Sequence, residues 1–175
     1  MQKKYKKSRL IAYIIDWSIS SLLYSFIVLL YYSIVTQIQS SKVDFYNLTL
    51  SQGIAVISIC LIIYIGYYIL FPYYKRQTFG KRMMHLKIVD SNQNSCSLTA
   101  YILRFICLLL LEGFLFYPSF VVIQFIECFI SVDIAAIIYK FSTIVTILSL
   151  FIAIIKGKFL HDYISHTQVI LINEK

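Results

Sequence analysis

The segment Arg9-Leu-Ile-Ala-Tyr-Ile-Ile-Asp16 begins a hydrophobic run that continues almost without further charge to Val35. A run of that length predicts a helix that spans a membrane. Seven residues at about 1.5 Å rise place Arg9 and Asp16 roughly 10 Å apart on one helix face. An aspartate inside a span costs on the order of 3 kcal/mol to insert. We therefore expect Asp16 to have a partner, to line a polar path, or both.

The composition excludes several classes of protein. Of the 175 residues, 59% are hydrophobic, which is far above an ordinary soluble domain and predicts a single integral membrane domain over 1–175. The net charge is +8, but the basic residues flank the hydrophobic runs, where membrane topology requires them. We therefore expect no nucleic-acid partner. The four cysteines are scattered without metal-binding spacing and indicate reduced, structural thiols.

The hydrophobic runs predict an all-α membrane protein, a transmembrane four-helix bundle. The predicted spans are 10–35, 54–72, 100–126 and 134–155. Fourteen of the sixteen basic residues fall on one side of such a bundle, and only Lys42 and Lys140 fall toward the other. Because cytoplasmic flanks are rich in Lys and Arg, both termini are predicted to be cytoplasmic.

The connection between the second and third spans has its own pattern. Pro72 to His85 is basic and aromatic, which predicts interfacial helices at the lipid headgroups. Met84–Asp90 alternates like a strand, and so does Thr167–Ile172. We expect the two strands to pair in a small cytoplasmic β element. The sequence itself reveals no internal repeat.

Two acidic residues in the predicted spans are candidate functional groups. Asp16 is interpreted either as a cation or proton site or as one half of a structural ion pair, with Arg104 or Arg9 as the expected partner. Glu112 is expected near mid-membrane, where it would extend an ion path or stay protonated against a neighbouring polar group.

The C-terminal tail carries a third acidic candidate, Asp162. It is expected to approach the basic motif Gly80-Lys81-Arg82. Metal binding by His161, Asp162 and His166 is a weak alternative, because the sequence shows no third strong ligand. No metal site is therefore expected. No nucleophile, phosphate-loop or zinc-protease motif is present in the sequence. We therefore expect neither an enzyme nor a cofactor.

These segments together resemble the RDD family of small prokaryotic membrane proteins. That family is named for an arginine at the start of its first helix, an aspartate within that helix and an aspartate near the C-terminus. The matching residues are Arg9, Asp16 and Asp162. Further matches are the motif from Gln77 to Arg82, the strand ending at Asp90, Arg104 in its Leu-Arg-Phe context, and Leu160–Thr167. Glu112 has no counterpart in the family pattern.

The resemblance implies a multi-pass protein of the prokaryotic inner membrane, and for some members it implies transport, including sodium/proton exchange. Two hypotheses follow. In the first, the chain is a cation/proton transporter or a transporter subunit in which Asp16 carries the ion. In the second, it is a non-transporting scaffold or accessory subunit whose charges lock the bundle. Expected partners are the lipid bilayer, anionic lipid headgroups, and further copies of the chain or other subunits of a membrane complex.

Overall fold

The computed structural model describes residues 2–111 and 117–172, and the chain is mostly helical. Its regular elements are α1 Gln2–Thr36, a 3-10 turn at Phe45–Asn47, α2 Leu50–Ile65, a π-helical turn at Gly66–Leu70, α3 Phe71–Lys75, α4 Phe79–Met83, β1 Leu86–Asp90, α5 Leu98–Leu110, α6 Tyr117–Phe129, α7 Val132–Lys156, α8 Leu160–Ile164 and β2 Thr167–Leu171.

Three helical stretches are long and apolar enough to cross a membrane. They are Lys7–Thr36, Leu50–Lys75 and Val132–Lys156, and each covers one of the predicted spans. The second passes through Pro72, whose ring clashes with the preceding turn of a regular α-helix. Here the turn that precedes Pro72 is the π-helical turn at Gly66–Leu70, which is wider than an α-helical turn. Three of the four predicted spans thus coincide with candidate membrane-spanning helices.

The predicted span at 100–126 is not one continuous helix. It is occupied by α5 and α6, which have 13 residues each and reach only about 20 Å apiece. Ser119 Oγ donates to the Leu109 carbonyl at 2.6 Å, whereas residues ten apart in one straight helix lie about 15 Å apart. Pro118 stands in the first turn of α6, where its missing N–H leaves no helical bond unmade. Hydrophobicity alone did not reveal this division, and a fourth spanning helix is not confirmed.

Helix α6 reaches the turn after α1, and α5 reaches the C-terminal tail, where Arg104 donates to Thr167. At the end of α6, the rings of Phe125 and Phe129 lie 6.0 and 6.3 Å from the ring of Phe45 in the turn after α1. At the other end, Tyr5 near the start of α1 donates from its hydroxyl to the Val169 carbonyl in β2. The N-terminal part of α1, the segment 78–90 and the segment 157–172 therefore share one end of the molecule.

The predicted sheet is present. Strands β1 and β2 pair antiparallel from Leu86 opposite Leu171 to Asp90 opposite Thr167. Leu86, Ile88 and Val169 are buried against the helices, which explains their alternation in the sequence.

The structure contains a repeat that the sequence did not reveal. The helices ending at Lys75 and Lys156 are each followed by a left-handed residue, Arg76 (φ 58°) and Gly157 (φ 74°). A short helix of five residues follows in both halves, α4 in the first and α8 in the second.

The two halves continue in step into the sheet. A left-handed histidine precedes each strand, His85 (φ 53°) before β1 and His166 (φ 50°) before β2. The strands begin at Leu86 and Thr167, 81 residues apart, and the same offset relates the two histidines. Because the register of β1 on β2 exchanges equivalent positions, the two strands pair around an approximate two-fold axis.

Candidate functional site

Asp16 is buried on α1 and accepts hydrogen bonds on both carboxylate oxygens. Its Oδ1 receives the Tyr67 hydroxyl at 2.8 Å and the Gly80 backbone N–H at 2.7 Å. Its Oδ2 receives the Thr78 hydroxyl and faces the Lys81 ammonium at 3.4 Å. One carboxylate thereby joins α1 to the π-helical turn and to the start of α4. Three of its four donors are neutral.

Gly80 makes this close approach of α4 to α1 possible. A Cβ atom at position 80 would lie 2.3 Å from the Ala12 carbonyl oxygen and 2.9 Å from the Asp16 carboxylate. Both distances are shorter than any normal contact, and the first involves backbone that cannot rotate away. The glycine of the basic motif therefore serves packing, because it brings the amide of α4 within reach of Asp16.

Asp162 lies on α8, fully buried between two arginines. Arg9 of α1 approaches its Oδ2 at 2.5 Å, and Arg104 of α5 approaches its Oδ1 at 2.6 Å. Oδ2 also accepts the Phe159 backbone N–H at 3.1 Å, which caps the start of α8. The carboxylate therefore ties α8 to α1 and α5.

Both arginines make further bonds that hold the tail in place. Arg9 donates to the Gly157 carbonyl, the left-handed residue that ends α7. Arg104 donates to the Thr167 hydroxyl at 2.7 Å and contacts His161 Nε2 at 2.9 Å. Since a guanidinium can only donate, His161 accepts in this contact.

Asp16 was expected within salt-bridge or one-water reach of Arg104 or Arg9; Asp16 and Arg104 do line one small cavity, but the direct ion pairs are different ones. Asp16 pairs with Lys81, and neither Arg104 nor Arg9 is among the partners of its carboxylate. Asp162 pairs with those two arginines instead of with the basic motif. Arg82 of that motif is exposed. Distance along a helix could not distinguish these pairings, because they depend on how α4 and α8 fold back against the bundle.

The charge cluster, defined as Arg9, Asp16, Lys81, Arg104 and Asp162, lies between the two halves of the repeat. Lys81 and Asp162 occupy equivalent positions, the third residue of α4 and of α8. The carboxylate of α1 faces Lys81 in the first half, and the guanidinium of α5 faces Asp162 in the second. The same backbone motif thus carries opposite charges in its two copies.

Two small adjoining cavities lie within the charge cluster. One, of about 40 Å³, is lined by Asp16, Thr78, Lys81, Arg104 and His161 together with Tyr13, Tyr68, Ile88 and Leu108. The other, of about 30 Å³, is lined by Arg9, Lys81, Arg104 and His161 together with Tyr13, Leu86, Phe159 and Val169. Each has room for about one water molecule.

Burial and neighbouring charges shift the pKa values of Asp162 and Lys81, the two cluster members on the short helices α8 and α4. Burial raises the pKa of Asp162, but Arg104, His161 and Arg9 outweigh it and hold that pKa far below the ordinary carboxyl range. Burial lowers the pKa of Lys81, and the nearby arginines lower it further, although Asp16 opposes them. Asp162 is therefore held as a carboxylate, whereas the charged form of Lys81 is disfavoured.

The remaining candidates lie elsewhere. Glu112 falls outside the described residues, so its expected place near mid-membrane remains a prediction. Among the residues that the structure describes, no group of three His, Cys, Asp or Glu side chains could hold a metal ion. Sequence reasoning missed Tyr67, Thr78 and His161 as partners of the cluster, and only the family resemblance placed two of them in matching motifs.

The comparison with protein families agrees with this geometry. The model of the RDD family matches residues 7–166, which include every member of the charge cluster. The chain belongs to the RDD family. The matched region of this RDD chain also contains most of α1, the helices α5 and α6, the first copy of the repeat, and the second copy up to His166, the residue before β2. Comparison with curated proteins gives no match, and comparison with solved structures gives none either.

Proposed function

We propose that this RDD-family protein is a multi-pass protein of the prokaryotic inner membrane in which Asp16 binds a small cation or a proton during transport. The observation that carries the proposal is the position of the Lys81 ammonium. It lies 3.4 Å from Asp16 Oδ2 and 3.2 Å from Thr78 Oγ1. A cation shared by that carboxylate and that hydroxyl would occupy the same place.

The other donors to Asp16 would keep the site intact when Lys81 moves away. The Gly80 amide and the Tyr67 hydroxyl hold Oδ1 independently of the lysine. A hydroxyl can turn its lone pairs toward a cation as readily as it donates a proton. Because burial disfavours the Lys81 ammonium, an incoming cation would compete with a weakened partner. Cation entry and proton release from Lys81 would then be coupled.

The repeat supports the same proposal. In transporters built from structural repeats, binding sites lie where the repeats meet. The charge cluster of this chain lies at that junction. We propose that both termini are cytoplasmic, since the cluster then lies at the inner face, where the flanking basic residues favour it. A homo-oligomer or a larger membrane complex would supply the remaining walls of a pathway.

Flux into proteoliposomes tests this function. Purified protein is reconstituted with a pH-sensitive dye inside, and sodium, potassium or lithium gradients are applied in turn. We expect at least one cation to drive proton movement in the wild type, and Asp16→Asn to abolish it. Asp44→Asn, at the half-buried cap of the turn after α1, is the matched control away from the charge cluster and should transport normally. Wild-type flux from a folded Asp16→Asn variant would refute the proposal.

A scaffold or accessory subunit is the second candidate. The observation that favours it is the saturation of Asp162 by two arginines, which suits a rigid lock better than a moving carrier. In that case the wild type gives no flux with any cation, while charge-cluster variants lose stability or assembly with partners. Both results come from the same preparations, so one series of variants distinguishes the two functions.

A further inference from the structure

The charge cluster carries more positive than negative charge. Arg9, Lys81 and Arg104 contribute three cations, whereas Asp16 and Asp162 contribute two carboxylates. The side chains of all five are largely buried, the most exposed being Lys81 at 16%. An uncompensated charge in such surroundings is strongly disfavoured. Either Lys81 gives up its proton, or an anion supplies the missing charge.

The smaller of the two cavities has the lining that an anion requires. All three cations of the cluster border it, and so do Tyr13 and His161. No acidic side chain occurs among its lining residues, all of which the structure describes. Asp16 borders only the neighbouring cavity of about 40 Å³. The positive groups come from α1, α4 and α5, so they converge from three directions.

The cations also have hydrogen-bond donors to spare. The Lys81 ammonium contacts Asp16 and Thr78, and it has three N–H donors. Each guanidinium has five N–H donors in a fixed plane. Arg9 makes three contacts, with Tyr5, Gly157 and Asp162, at only two of its nitrogen atoms. The volume of about 30 Å³ suits a single monatomic anion of halide size better than a polyatomic anion such as sulfate.

We propose that this cavity binds a single small inorganic anion of halide size, such as chloride, at the junction of the two repeats. The anion completes the charge balance of the cluster with Lys81 protonated. It also bridges groups on α1, α4 and α5, so its binding holds the two halves of the molecule together. The proposal does not depend on transport, because the balance of charge is the same in a carrier and in a scaffold.

Chloride titration of the purified protein in detergent tests the site. The protein is prepared in sodium gluconate and unfolded thermally while chloride replaces gluconate at constant ionic strength and constant sodium. We expect saturable stabilisation by chloride and bromide, and none from sulfate, which is too large for the cavity. Equal unfolding temperatures in chloride and gluconate, or equal stabilisation by sulfate, would overturn the proposal.

Two neighbouring lysine and arginine variants locate the effect. Lys81→Met removes one cation from the lining and should weaken chloride binding about tenfold, the size expected for a lost charged hydrogen bond. Arg82→Met removes the same charge from an adjacent exposed position and should leave the chloride midpoint unchanged. If Lys81→Met keeps the wild-type response, the site is wrong. If that variant does not fold, Tyr13→Phe serves instead. We expect its chloride midpoint to rise a few-fold, and an unchanged chloride midpoint would contradict the site.

Discussion

The two copies of the repeat hold their central charged residue in different ways. Asp162 of α8 lies between two guanidinium groups, each within 2.6 Å. Lys81 of α4 faces one carboxylate at 3.4 Å, and that carboxylate takes its other bonds from neutral donors. In the second half, one carboxylate is therefore paired with two positive charges. In the first half, the ammonium has a single and longer ion pair.

The residue before each charge accounts for part of this difference. Gly80 in α4 corresponds to His161 in α8. The glycine lets α4 touch the backbone of α1, so that an amide N–H reaches Asp16 directly. The histidine of α8 supplies a ring nitrogen to Arg104. One copy has specialised in close packing around a carboxylate, and the other in ionic bonding. Four experiments can break or sharpen this comparison.

The largest effect is expected from Arg104→Ala. The change leaves Asp162, His161 and Thr167 without their shared partner in a buried site. Removing one member of a buried pair costs about 3–5 kcal/mol. Arg82→Ala, at an exposed position, is the control and should change stability little. The thermal unfolding midpoint, followed by helical circular dichroism in detergent, measures both, and equal midpoints would mean that the second half is not an ionic lock.

The second-largest effect is expected from acid, which should lower stability through Asp162 in the second half. The pKa of Asp162 is lower in the folded protein than in the unfolded chain. Between those two pKa values the folded state binds fewer protons than the unfolded state. Its contribution to stability is therefore complete above about pH 4, the ordinary carboxyl pKa, and is lost as the pH falls below it. Unfolding midpoints between pH 3 and 7 measure this. Asp162→Asn should flatten that acid limb, and an unchanged limb in the variant would exclude Asp162 as its source.

Gly80→Ala tests the close packing of the first half. The new methyl group would overlap the Ala12 carbonyl, and overpacking of this kind costs about 1–3 kcal/mol. Gly66→Ala is the matched control, because nothing lies within 4 Å of a Cβ at position 66. We expect a lowered unfolding midpoint for the first variant only. A tolerated alanine at position 80 would show that α4 can move away from α1 without loss.

Lys81→Met should have the smallest effect on stability. Asp16 keeps Tyr67, Thr78 and Gly80 as donors, so the loss is on the order of 1 kcal/mol, well below that of Arg104→Ala. Unfolding midpoints of the two variants in one buffer give the ratio directly. If Lys81→Met is as harmful as Arg104→Ala, the two halves are held equally tightly and the contrast between them fails.

Much of the fold could be read from patterns of short range. Uninterrupted apolar runs predicted the three candidate spans, since a helix in lipid must satisfy its own backbone. Alternation predicted β1 and β2 because side chains of a strand point to opposite faces in turn. The predicted span 100–126 is not confirmed, because the run contains two helices and an apolar composition does not indicate where a helix ends. The repeat escaped notice because it resides in backbone conformation, and few side chains are shared between its copies.

The sequence by itself determined that this chain is a membrane protein of the RDD family and that Arg9, Asp16 and Asp162 are its notable charges. Those conclusions depend on composition, spacing and motif, which are properties of the linear chain. Only the tertiary structure decided which charge meets which, that Gly80 brings α4 against α1, and that the cluster has one cation in excess around a small cavity. The physical reason is that ion pairs and cavities form between segments up to 153 residues apart, so their partners are set by packing and not by neighbours in the sequence.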